Sequence, residues 1–293
     1  MSHADDSGGD LGTCISRALQ GIRTVADELT GSRRTRLIER VLDEALTDPY
    51  QGWDLIEIAA DIVENADERT KVDVALEDMA CRREDRDSAF LSDFDKKRAA
   101  MIRLSLVERL DSCREHETFL RNRINWTEFR IKLVDHLIER GDLEESKRLC
   151  EEWLAEPGHN RRGHRSEILG RLLWIAVDEG NIADEIRLTE CLLLETGQTR
   201  YVKRLKALNE ADWSTYRHQL LQMLASSRNS AVTADVYVIE EMWPEPLAYV
   251  SSQHRYAIDH YREHLDPRFP EQMSQLYERI ALQVLTQEVN RKG

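Results

Sequence analysis

The sequence predicts an all-α fold, a superhelix of stacked antiparallel helix pairs, and three observations carry that expectation. The first is a duplication. Residues 133–158 align without a gap on residues 172–197, and eight of the 26 positions are identical. The identities include Gly141/Gly180, Arg148/Arg187, Leu149/Leu188, Glu151/Glu190 and Gly158/Gly197. Apolar positions keep their character at Val134/Leu173, Ile138/Val177 and Leu143/Ile182. A fixed offset of 39 residues is what helical arrays produce, because each unit buries its apolar face only against its neighbours. The second observation is composition: 13 Gly and 6 Pro leave few helix breakers in 293 residues that are 41% apolar and 33% charged,. The third is spacing, since Val and Ile recur three and four residues apart rather than in alternation.

Residues 1–9, small, polar and Gly-rich, read as a disordered tail. An N-terminal helical region over 10–125 begins with a helix near 11–29, where Ile15, Leu19, Ile22 and Val25 share a face. A second helix over 33–47 carries Leu37, Val41, Leu42 and Leu46. It stops at Asp48-Pro49, because proline disfavours helical geometry in the residue before it. Helices near 51–65 and 67–82 follow as an antiparallel pair. Residues 88–122 hold neither Pro nor Gly and form one long helix or two with a tight break.

The repeat region, 126–293, is expected to continue the first without a linker. Its duplicated pairs are 126–140 with 143–155 and 165–179 with 182–195. A glycine followed by Asp142 or Asn181 ends one helix in the left-handed conformation and opens the next. Further helices are expected near 200–209, 212–226, 230–241, 253–265 and 270–290. Trp243-Pro244 with Pro246, and Asp266-Pro267 with Pro270, read as breaks.

The duplicated segment resembles the tetratricopeptide class: helix, Gly-Asp turn, second helix, with Leu149, Leu188 and Trp153 at packing positions. Its offset exceeds that class's roughly 34 residues, and the alanine and aromatic signature is incomplete, so the resemblance is to a TPR-like solenoid. The run from Pro270 to Ala281, P-E-x-x-x-x-L-Y-x-R-I-A, and Arg140-Gly141-Asp142 look like the helical region that follows the zinc finger in bacterial SWIM-type proteins. That resemblance spans about 126–293. The finger's Cys-x-Cys and Cys-x-His pairs are absent from the sequence, so its zinc and its nucleic-acid role do not carry over.

A net charge of −14, spread over every helix, argues against general nucleic-acid binding, which draws on a concentrated cationic field. No apolar run is long enough for a membrane span, and the acidic start MSHADDSGGD has no signal-peptide core. The expected location is the cytoplasm. The five cysteines, Cys14, Cys81, Cys113, Cys150 and Cys191, read as free buried thiols of a reducing compartment.

Candidate chemistry is sparse. His260 and His264 are four apart, with His254 upstream, and share a helix face; without a matching carboxylate they read as a solvated or partner-facing pair. Cys113 and His116 form one Cys-x-x-His half-site with no second half of like spacing. Trp53, Trp126, Trp153, Trp174 and Trp213 read as packing residues. Arg33, Arg34 and Arg36 read as the exposed start of a helix. No nucleotide loop, nucleophile elbow or kinase signature is present, so no catalytic residue, cofactor or metal is expected.

The expected function is therefore that of a non-enzymatic scaffold binding another protein or a peptide along a groove. His136, Glu139, Arg171 and Asp178 are polar residues on the first helix of each unit and are nominated for that contact. The basic loop 157–165 is the local exception to the acidic balance. Its Arg161, Arg162 and Arg165 suit carboxylate or phosphate, which makes a nucleic-acid accessory role the alternative reading.

Overall fold

The computed structural model describes residues 10–47, 52–81, 89–157, 162–227, 230–243, 245–252 and 255–291. Among the described residues every regular element is helical: sixteen α-helices, one 3-10 turn and no strand. The all-α expectation holds at that level. Two compact units are present, Met1–His136 and Leu137–Gly293. Their division falls within one helix, between His136 and Leu137. The tail 1–9, the Asp48-Pro49 stop, Arg161, Pro244 and His254 lie outside the described residues.

The first unit contains α1 (Asp10–Glu28), α2 (Gly31–Thr47), α3 (Gly52–Asp61), α4 (Ala66–Cys81), α5 (Ala89–Leu110), α6 (Cys113–Arg121) and most of α7 (Thr127–Glu139). Ile38, Val41 and Leu42 of α2 join Ile56, Ala59 and Ala60 of α3, Val72 and Leu76 of α4, and Ile102 and Leu106 of α5 in one core. Gly52 permits the close approach of α2 and α3. A Cβ there would lie 2.5 Å from the Ala45 carbonyl oxygen and 2.9 Å from Met79 Cε.

Arg34 corrects the expectation of an exposed arginine cluster. Arg33 and Arg36 are exposed, but Arg34 is buried and reaches the buried Glu68. Glu68 also accepts from the Thr35 hydroxyl at 2.7 Å and from the Glu64 backbone N–H at 3.0 Å. Burial alone raises its pKa, but these donors and the Arg34 charge outweigh it and hold the carboxyl below its ordinary value,.

The 88–122 stretch resolves into two helices, separated at Asp111-Ser112. The cause is a capping box: Ser112 Oγ accepts from the Glu115 N–H, and Glu115 Oε2 accepts from the Ser112 N–H,.

The second unit contains α8 (Leu143–Ala155), α9 (Arg162–Asp178), α10 (Ile182–Thr196), α11 (Arg200–Leu208), α12 (Trp213–Ser226), α13 (Ser230–Ile239), α14 (Glu245–Ser252), α15 (Arg255–Leu265) and α16 (Pro270–Arg291). The duplication is structural as well as textual. Gly141 and Gly180 have φ of 79° and 66°. The next amides, of Asp142 and Asn181, each donate 2.9 Å bonds back to Leu137 and Ala176, which are equivalent positions. Both side chains then cap the following helix, accepting from Glu145 and Asp184,. The copies diverge at buried Ser146, whose counterpart Glu185 is also buried and takes the guanidinium of Arg204 at 2.7 Å.

The segment around Pro246 was expected to be a break, yet α14 starts at Glu245 with Pro246 buried in its first turn. Proline is tolerated there because the first N–H groups of a helix have no intrahelical acceptor. Just past α13, the largely buried Glu240 carboxylate accepts from Lys206, Trp213 Nε1 and Arg217. A last core joins Ala234, Val250, Ile258, Tyr261, Leu265, Met273 and Leu276.

Candidate functional site

The tryptophans separate into two classes. Trp53, Trp153 and Trp213 are buried, in line with a packing role, and Trp126 is half-buried. Trp174 departs from that expectation, with 49% of its surface exposed, and Val177 and Ile182 are exposed at 44% and 52%. Trp174 and Val177 are three apart on α9 and share a face, while Ile182 opens α10 just beyond the turn. The opposite side of α9 supplies Ile168, Leu169, Leu172 and Ile175 to the interior. An apolar edge centred on an indole is thus open on the second copy of the duplicated unit.

The signal for it lies in the alignment. Trp174 stands opposite Asp135 of the first copy, so the repeat puts a polar group at the position that here carries an indole. Helical periodicity alone could not separate Trp174 from the core, because its neighbours Leu173 and Ile175 are both buried.

The nominated polar residues do not converge on this edge as a set. Arg171, on the preceding turn of α9, donates to the Glu167 carbonyl at 3.0 Å. Asp178, the last residue of α9, is exposed, as is Glu139 at the end of α7. His136 is buried in α7, its ring in an edge contact with His116 at 4.8 Å.

In the basic loop, Arg161 lies outside the described residues and Arg162 is the first residue of α9. Arg165 Nε sits 3.5 Å from Glu195 Oε2 of α10, so its charge is matched by a neighbouring helix. His164 Nδ1 is 3.9 Å from Glu167.

His260 and His264 are both exposed, and His260 Nε2 lies 3.5 Å from Asp235 Oδ1. Among the described residues no group of three or more His, Cys, Asp or Glu side chains is arranged to hold a metal ion. Nor is any helix long and apolar enough to cross a membrane. All five cysteines are free, but only Cys150 is buried; Cys14, Cys81 and Cys113 are exposed. That corrects the expectation of buried thiols. No family model, curated protein or solved structure matches this chain.

Proposed function

We propose that this chain is a cytoplasmic, non-enzymatic helical-repeat scaffold, a TPR-like superhelix that binds another protein or a peptide, with α9 and α10 as a contact face. The observation that carries the reading is the exposed apolar edge of Trp174, Val177 and Ile182. Leaving an indole in water forgoes the stabilisation its burial brings, on the order of 2–3 kcal/mol for a large apolar side chain. A partner that covers it recovers that term, and tryptophan is among the residues that dominate binding energy at interfaces. The flanking charges, Arg171 before the edge and Asp178 and Glu179 after it, would supply a polar rim.

The test is capture of partners with the full chain as bait, followed by mass spectrometry, beside a bait carrying Trp174→Glu and Val177→Glu. A partner retained by the native chain and lost by the folded double variant supports the reading. Equal recovery from both baits removes α9 from it. The nucleic-acid alternative draws on the loop 157–165 and has less support, since Arg165 is matched by Glu195. Salt-sensitive retention on DNA or RNA, abolished by Arg161→Ala with Arg162→Ala, would restore it.

A further inference from the structure

The Cys113–His136 pair joins residues far apart in the chain. Cys113 opens α6, and its Sγ lies 3.7 Å from Nε2 of His136 on α7, within reach of a thiol hydrogen bond. Cys113 is exposed, whereas His136 is only 8% exposed. An electrophile can therefore approach Cys113 from solvent, while the imidazole is buried. The same Nε2 is 3.9 Å from Glu117 Oε2, and Glu117 is itself fixed by Arg121 at 2.8 Å. The His116 ring meets the His136 ring edge-on; its Nε2 is 3.7 Å from Glu108, which Lys132 reaches at 3.2 Å.

Packing does not account for the imidazole. The position equivalent to His136 in the second copy is Ile175, which is 1% exposed. The repeat is satisfied there by an aliphatic side chain, and burying a polar ring instead has a cost unless its nitrogen has work. Positions that break a local packing rule are where function concentrates. The other two exposed thiols serve as internal references. Among the described residues no imidazole is bonded to Cys14 or Cys81.

We propose that Cys113 is a covalent modification site for small soft electrophiles, with His136 as the group that takes its proton. The Sγ–H proton passes to His136 Nε2 as sulfur attacks, and the imidazolium so formed lies beside the Glu117 carboxylate. With iodoacetamide as reagent, the S–C bond forms, the C–I bond breaks and iodide leaves. Nothing in the step requires a metal.

The experiment follows alkylation of the intact, folded chain by iodoacetamide at neutral pH, resolved by peptide mass spectrometry into rates at Cys14, Cys81 and Cys113. Cys113 is expected to react about tenfold faster than the other two. His136→Ile installs the residue that the second copy buries, and is expected to bring Cys113 down to the rate of the references. Equal rates at the three thiols of the native chain overturn the proposal. So does a folded His136→Ile or His136→Gln protein, checked by circular dichroism, whose Cys113 reacts as fast as before. Should both variants unfold, the comparison within the native chain still decides.

Discussion

Arg34 Nη2 lies 3.3 Å from Glu68 Oε1, and the two side chains are 7% and 1% exposed. Arg34 also contacts the exposed Glu64 carboxylate. A pair this far from water contributes little by comparison with an apolar pair of the same volume, but removing one member strands the other charge. Arg34→Met is therefore expected to destabilise the first unit by about 3 kcal/mol, read as a fall in the urea midpoint. The Thr35 and Glu64 donors remain and keep the cost towards the lower end.

Glu68 also sets an acid limit. Its folded pKa is lowered, so its contribution is present above the unfolded carboxylate value of about 4.3 and is lost as pH falls through the folded value. Thermal unfolding between neutral pH and pH ~3 is expected to show this decline. Glu68→Gln should flatten part of it while lowering stability at neutral pH. An unchanged acid slope in the variant would exclude Glu68 as a source.

Trp153→Ala and Trp174→Ala form a matched pair. The first empties a site that is 2% exposed and is expected to cost about 3–5 kcal/mol. The second truncates a half-exposed ring and should cost less than about 1 kcal/mol. Chemical denaturation of the two variants checks this, and comparable losses would mean that the Trp174 ring is covered.

Glycine substitutions separate backbone strain from crowding. An alanine at Gly180 meets open space but must hold φ near 66°, which costs about 1–2 kcal/mol. At Gly197 the φ is 68° and a Cβ would also sit 3.1 Å from Val232 Cγ2. Gly197→Ala is expected to be the more damaging, and equal losses would show that Val232 gives way freely.

Two tyrosines should resist alkali. Tyr216 donates to Glu190 at 2.5 Å and Tyr261 to Asp235 at 2.7 Å, and burial followed by these carboxylates pushes both phenols well up. A folded pKa raised above the unfolded value of about 10 gives stability that is present below that pH and lost as pH rises beyond it. Spectrophotometric titration should show fewer of the eight tyrosines ionising before alkaline unfolding in the native chain than after it. Tyr216→Phe should remove one late-ionising group.

The helices and the repeat were legible because their causes are local. Gly141 with Asp142, and Gly180 with Asn181, announce a turn and a cap in four residues, and both copies form them. Sequence leaves the break in 88–122 open between one helix and two, because its signal, Ser112-x-x-Glu115, acts through side-chain capping rather than through propensity,. Partners across space were not legible. Periodicity says that a residue faces inward, not what it meets, so Arg34 read as exposed until Glu68, 34 positions away, closed on it. Cys113 and His136 are 23 apart on different helices, and no spacing rule joins them. The charge at Glu185 is equally silent until Arg204 comes to it.

The Glu240 carboxylate ties the end of α13 to Lys206 of α11 and to Trp213 and Arg217 of α12. Opening any one of these three helices leaves a largely buried anion short of a donor, so none of them can fray alone at small cost. Their amides should exchange with solvent deuterium as one cooperative block, and that segment of the second unit would respond to stress in a single step.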